Sequence, residues 1–401
     1  MTWPFSTTEE VIDQLQITAK AYADKRPGAR EQLLNLSQTL TASLELPSEA
    51  IQRVGWAEPA RTAHCRLAVE LGLFEQLKAS GEGGIGAQEL STKVGADEVL
   101  IARVLRHLAA TYIIREKGPD CFSPTYLSNA FTEPKFRAGI IYTFDVAGPS
   151  FHLLPNYLKS ISYGNPTELT DGPFQYAHKT QLPFFAWLDQ NPPYLSVFND
   201  YMSAYRAGKL NWVDPGFYPV SERLIRGFNS TFSDVFLVDV GGGLGHDLRE
   251  LETKISDLPG RLILQDREEV ISTLPSATAD NKFEAKPHDF FTSQPVQGAR
   301  AYYLHSVLHD WSDVDCIRIL EQLRPAMKKG YSKLLVNEIV VPKQGGTWPV
   351  TAMDQLMLVL GAMKERTEMQ WNDILEKAGF KVTGIWSLEM GTESLIEAEV
   401  A

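Results

Sequence analysis

The apolar positions change period along the chain. From Glu9 to about Leu44 they recur at helical spacing in EEVIDQLQITAKAYADK and REQLLNLSQTLTASL, with a Pro27-Gly28 break between, which predicts two amphipathic helices. RTAHCRLAVELGLFEQLKAS, GIGAQELSTKVG and VLIARVLRHLAAT keep the helical period, and YIIREKGPDCFSPT reads as a hairpin turning at Lys117-Gly118-Pro119-Asp120, so winged-helix order is expected. Residues 130 to 225 are rich in proline and aromatics. Pro192 and Pro193 interrupt the pattern there, and helical spacing resumes from Tyr194 to Lys209 with Phe198, Tyr201, Met202 and Tyr205 on one stripe, either core or the wall of an apolar pocket. After Phe228 come the apolar runs VFLVDVGGG, GRLILQD, ARAYYLHSV and SKLLVNEIV, of strand length and separated by helical stretches. They predict an α/β, Rossmann-like domain with a parallel sheet. The closing FKVTGIWSLEMGTESLIEAEV adds two strands, the last expected to run antiparallel at the sheet edge. The organisation read from this is 1–50, N-terminal helices; 51–130, a winged-helix-like domain; 131–225, a helical substrate-pocket region; and 226–401, the Rossmann-like domain.

Charge narrows the partners. Among 401 residues, 38 Lys plus Arg stand against 50 Asp plus Glu, a net charge of −12 that repels phosphate backbones and anionic membranes. Arg103, Arg106 and His107 are the basic cluster on the would-be recognition helix, so no nucleic-acid partner is expected. The opening MTWPFSTTEEVIDQ lacks a basic segment followed by an apolar run, and no window approaches the roughly eighteen apolar residues of a membrane span. A cytoplasmic protein with no membrane partner is therefore expected, with Cys65, Cys121 and Cys316 as reduced thiols. The two N-terminal helices need cover for their apolar faces, from this chain or from a second copy.

The candidate chemistry lies in the α/β half. YYLHSVLHDWSDVDC puts His305 and His309 four apart, which on a helix is one face and one way to present two imidazoles to zinc. In VDVGGGLGHD the glycines at 241, 243 and 245 do not fit the dinucleotide spacing, because position 246 is His. With Asp239 just before it, the loop suits a ligand whose cationic amino acid portion lies over bare backbone. Asp266 ends the next strand, where a carboxylate can accept two ribose hydroxyls, and Asp289 with Phe290 after the third offers an acceptor and a ring for an adenine.

VDVGGGLG, LQD, HDFF, LHDWSD, LLVNEIV and KERTEMQW, in this order, resemble the class I S-adenosylmethionine-dependent O-methyltransferases of the plant caffeate and fungal secondary-metabolite type, over nearly the whole chain. The resemblance implies S-adenosyl-L-methionine as cofactor, a phenolic or enolic small-molecule substrate, and a homodimer formed through the N-terminal helices. It implies His309 as general base held by Glu338 and Glu365, which takes the place of the zinc reading. The cofactor set is Asp239, Gly241, Gly243, Gly245, Asp266, Arg267, Asp289, Phe290, His305 and Trp311. His305 departs from the family, which usually has Arg or Lys there. On the substrate side stand His152, Phe198, Met202, Asp310, Met353 and Met363, with Ala362-Met363 replacing the family's Gly-Gly and pointing to an apolar or compact substrate. A pericyclase or dehydratase on the same scaffold is the alternative, kept open by His152 as a second acid.

Overall fold

The computed structural model describes residues 7–205, 209–274, 283–361, 363–387 and 393–401. Its first helix, α1 (Thr8–Ala23), begins at a reciprocal cap: Thr7 Oγ1 accepts from the Glu10 N–H at 3.2 Å and the Glu10 carboxylate accepts from the Thr7 N–H at 3.3 Å. Gly28, in the left-handed region, turns the chain into α2 (Ala29–Leu44), which packs on α1. The pair buries Val11 and Leu36 and leaves Ile12, Ile17, Tyr22 and Leu34 exposed.

α3 (Pro47–Gln52), α4 (Glu58–Leu71), α5 (Leu73–Ser80), α6 (Ala87–Val94) and α7 (Glu98–Ala110) follow, with β1 (Ile85–Gly86), β2 (Arg115–Gly118) and β3 (Cys121–Ser123) as an antiparallel sheet in the order β1-β3-β2. Leu73, Phe74, Leu77, Leu90, Ile101, Leu105, Leu108 and Phe122 close its core. On α7, Arg106 is paired with Asp120 at 2.9 Å and His107 Nε2 lies 3.0 Å from the Ala57 carbonyl, so both are engaged within the fold.

The chain divides into two compact units, Met1–Pro149 with Phe185–Ala207, and Ser150–Phe184 with Gly208–Ala401. Helix Tyr194–Met202, shorter than its apolar spacing suggested, belongs to the first, where Phe198 packs edge-on against Tyr142 and Phe185 at 5.6 and 5.7 Å.

The second unit holds the large sheet: β4 (Val235–Val240), β5 (Arg261–Asp266), β6 (Phe283–Pro287), β7 (Ala301–His305), β8 (Lys333–Val341), β9 (Arg366–Thr367), β10 (Phe380–Trp386) and β11 (Glu393–Val400). The order is β10-β11-β8-β7-β4-β5-β6, with β9 on the end of β8. β4 to β8 are parallel, and β4, β5, β7 and β8 are buried on both faces, which is why they read as unbroken apolar runs, whereas β6 at the edge is largely exposed. Ile263, Leu304, Leu320 and Trp371 lie in the core on one face, and Phe236, Leu248, Leu262 and Tyr303 in that on the other.

β11 is antiparallel, as expected, but is not the edge: it lies between β8 and β10. Its first six residues are all buried, Glu393 and Glu397 included, whereas β10 alternates and takes the outer position. Among the described residues no helix is long and apolar enough to cross a membrane.

Candidate active site

Strand β4 runs into the glycine loop and then the helix His246–Lys254. The loop folds onto the end of β5: Gly241 and Gly242 N–H donate to the Gln265 carbonyl at 2.8 and 3.1 Å, and Gly243 N–H donates to Asp266 Oδ2 at 2.8 Å. Two of these glycines are required. A Cβ at Gly242 would meet Asp239 Oδ2 at 2.3 Å, and Gly243 has φ +58°. Asp266 also accepts from the Arg267 N–H at 2.7 Å; burial raises its carboxyl above the usual range despite the two amides. Arg267 itself is exposed.

Asp239 is fully buried, and neither of its carboxylate oxygens has a hydrogen-bond partner. Burial, then the nearby Asp247, push its carboxyl well above the ordinary range, while His305 pulls the other way. A buried, unsatisfied acceptor pair beside bare glycine backbone fits a ligand carrying an ammonium group. The ring of Phe290 lies 3.7 Å from where a Gly241 Cβ would stand and meets Trp311 edge-on at 5.8 Å. Asp289 is exposed and accepts from the Phe291 N–H at 3.0 Å. Asp239 near the end of β4, Asp266 at the end of β5 and Asp289 just after β6 stand at the C-terminal ends of three adjacent parallel strands, and so share one sheet edge.

His305 and His309 are not on one helix. His305 ends β7, Ser306 takes φ +50°, and His309 sits in a short 3-10 turn, Leu308–Asp310. The shared-face arrangement of two imidazoles is thus corrected: the strand, continued from the apolar run AYYL, stops between them. Each ring has its own carboxylates.

His309 Nδ1 lies 2.9 Å from Glu365 Oε1 and 3.5 Å from Glu338 Oε2, while Nε2 is 3.6 Å from Asp310 Oδ1, outside direct hydrogen-bond reach. Glu338 Oε1 accepts from the N–H groups of Val307, Leu308 and His309 at 3.0, 2.8 and 3.3 Å, so one carboxylate oxygen holds the turn that carries the ring. Glu338 lies inside β8 rather than at its end, and β9 pairs with the last residues of that strand, Arg366 with Val340 and Thr367 with Val341. The same pairing brings Glu365, the residue before β9, to the ring. Burial opposes charge on His309, but Glu338, Glu365 and Asp310 outweigh it and raise its pKa well above the ordinary value. Burial pushes Asp310 up to about 6 and Glu338 up to about 7, with His309 opposing both.

One atom each of His309, Glu338 and Glu365 falls within 4.8 Å of the others, a set of three donors close enough to hold a metal ion. Both carboxylates face Nδ1, however. A proton on that nitrogen can be donated to Glu365 Oε1, while Oε2 of Glu338 and Oε2 of Glu365 are buried without a hydrogen-bond partner.

The His305 ring is bridged: Nδ1 contacts the Asp247 carboxylate and Nε2 lies 3.0 Å from Glu393 Oε2. An imidazole donates through both nitrogens only as the imidazolium. Trp311 stacks edge-on with Phe291 at 4.7 Å, and Met363 is buried under Gly361; Ala362 lies outside the described residues. Met353 is half-buried on helix Trp348–Gly361. His152 is exposed on helix Gly148–Ser160, a surface position that does not suit an enclosed acid. Phe198 and Met202 belong to the other compact unit.

Sequence reasoning passed over Asp247, Glu393, Asp354 and Arg366. Asp354 Oδ1 accepts from the Glu365 N–H at 3.0 Å, and Arg366 is fully buried with its guanidinium on the Leu308 and Trp311 carbonyls. A helix-start acid such as Asp247 reads as a cap, and Arg366 stands in the charged run Lys364-Glu365-Arg366-Thr367-Glu368, where one more charge draws no notice.

The comparisons with known proteins agree with this geometry. Residues 220–381 match the O-methyltransferase domain and residues 62–134 the O-methyltransferase dimerisation domain. The chain is 49% identical over 392 residues to the O-methyltransferase mpaG of Penicillium brevicompactum, covering 98% of each chain. It is similar to a solved pericyclic reaction enzyme, with TM-score 0.88 and 26% identity over 98% of this chain and 100% of that one. It is also similar to the LepI complex with SAM, with TM-score 0.88 and 26% identity over 99% and 100%. With that identity to mpaG sustained end to end, the chain belongs to the O-methyltransferase family.

Proposed function

We propose that this protein is an S-adenosyl-L-methionine-dependent O-methyltransferase acting on a phenolic or enolic hydroxyl in fungal secondary metabolism, with His309 as proton acceptor. The observation that carries the reading is the His309 ring, whose Nδ1 is held by two buried carboxylates while Nε2 stays beyond hydrogen-bond distance of Asp310. When bound, the cofactor supplies an electrophilic methyl group. Asp239, Gly241, Gly243, Asp266, Asp289 and Phe290 would hold it, Asp239 through its unpartnered carboxylate.

A phenol with a pKa near 10 is mostly neutral at pH 7, and raising the proton affinity of His309 toward that value makes removal of its proton less uphill. Glu365 and Glu338 fix the tautomer and support the charge that appears on the ring.

The test is product mass with S-adenosylhomocysteine assayed in parallel, on polyketide and pyridone candidates. A gain of one methylene with stoichiometric S-adenosylhomocysteine is expected. The second reading, cyclisation by a pericyclase, is favoured by the likeness to a pericyclic reaction enzyme; product formed with no S-adenosylhomocysteine would establish it.

We further propose a homodimer through the N-terminal region, supported by the dimerisation-domain match and by exposed Ile12, Ile17, Tyr22 and Leu34 on α1 and α2. Sedimentation should find a dimer at micromolar concentration, and deletion of residues 1–45 should yield monomer or aggregate.

A further inference from the structure

We propose that Arg366 is a positioning residue for His309, presenting the ring by gripping the main chain on both sides of it; the inference rests on the reading of His309 as proton acceptor. The guanidinium donates from Nη1 to the Leu308 carbonyl at 2.9 Å, from Nη2 to the Trp311 carbonyl at 2.6 Å, and from Nε to Asp313 Oδ1 at 2.9 Å. Its side chain is fully buried and lies over the Trp371 ring at 5.2 Å.

The turn is therefore held from two directions. Glu338 takes the amide hydrogens of residues 307 to 309, and Arg366 takes the carbonyls of residues 308 and 311. The carbonyl of His309 itself accepts from the Lys364 N–H at 3.2 Å. Three consecutive residues thus serve one ring: Lys364 through its amide, Glu365 through its carboxylate on Nδ1, and Arg366 through the flanking carbonyls. Lys364 and Arg366 are joined again at Asp313, which accepts from Lys364 Nζ at 2.7 Å.

A planar fork reaches two carbonyls and a carboxylate from separate nitrogens in fixed directions, whereas an ammonium offers its three donors from a single point. Loss of it would free the turn to move by a fraction of an ångström, enough to part Nδ1 from Glu365.

The sign of a titration separates this role from a merely electrostatic one. The charged groups facing His309 are Glu338 on β8, Glu365 before β9, and Asp310 on its own turn. Removing a nearby cation favours the imidazolium and raises the histidine pKa; losing alignment with the carboxylates lowers it.

The experiment uses the full-length protein labelled with ¹³C-histidine, the His309 resonance being assigned by its loss in His309→Gln. For Arg366→Lys and Arg366→Gln we expect the His309 pKa to fall by about one unit, a tenfold loss of proton affinity. S-adenosylhomocysteine affinity by calorimetry should stay within about twofold, since Arg366 touches none of the residues assigned to the cofactor except through the Trp311 carbonyl. Arg366→Lys keeps the charge, so it reports geometry alone and stands in should Arg366→Gln fail to fold. A pKa that is unchanged or raised in a folded variant overturns the proposal. A lowered pKa in a protein that methylates no substrate leaves Arg366 as the positioning residue and removes the proton-acceptor reading instead.

Discussion

His305 and His309 are four residues apart and each stands against two carboxylates, yet the two sites are built in opposite ways. Both ring nitrogens of His305 are engaged, one by Asp247 and one by Glu393, from elements on either side of β7. At His309 both glutamates crowd Nδ1, and among the described residues the carboxylate nearest Nε2 is Asp310, at 3.6 Å. Hydrogen-bond capacity decides what each ring can do. A ring bridged at both nitrogens serves as a strut, since moving a proton at either one disturbs a buried contact; one anchored at a single nitrogen can exchange a proton at the other.

The sharpest way to break this comparison is to remove each ring. His309→Ala should cut turnover by about 10² to 10⁴, the usual contribution of a general base, with partial recovery at high pH where a phenol ionises unaided. Calorimetry should show S-adenosylhomocysteine binding almost unchanged. Turnover within a few fold of the parent would mean that Nε2 is not the acceptor. His305→Gln should act on stability: with the bridge lost, Asp247 and Glu393 are left partly buried as like charges, at a cost on the order of 3 kcal/mol in urea unfolding. If His305→Gln unfolds with the parent's midpoint, the ring is not a strut.

The difference between the two sites was only half legible beforehand. Strands β4, β5, β7 and β8 announce themselves as continuous apolar runs because they are covered on both faces. The glycine loop and the acids after it are local features of strand ends, readable in order. His309 and its glutamates came from a resemblance in motif order, and the structure supplied the reason they meet, the two-residue β9 pairing with β8. Such a short pairing has no periodicity to detect. The partners of His305 were hidden for a related reason. Asp247 lies in a first helical turn, where an acid is ordinary, and Glu393 opens a strand whose place inside the sheet depends on long-range pairing. The same non-local pairing explains why β11 was expected at the edge: alternation within a strand reports which faces are covered, not which neighbour lies beside it.

The smallest and most selective effect should come from Glu365→Gln, which keeps the shape at Nδ1 and removes one charge. The imidazolium form of His309 is favoured by its carboxylates, so the neutral base accumulates, and turnover rises, only as pH climbs through a value above the ordinary one near 6.5. With Glu365 neutral, that limb should move toward acid by about one unit and the plateau should fall, because the ring has less charge support. Stability should move the other way. His309, Asp310 at about 6 and Glu338 at about 7 all have raised folded values, so each favours the fold at acid pH and withdraws that support as pH rises from its unfolded to its folded value. Glu365 raises all three. The variant should therefore lose stability relative to the parent at pH 5 and regain it toward pH 8. The limb is read from initial rates between pH 5 and 9, the stability from thermal midpoints over the same range. An unmoved limb together with a uniform drop in midpoint would show that Glu365 serves the ring as packing rather than as charge, and His309 would then resemble His305 more closely than its geometry implies.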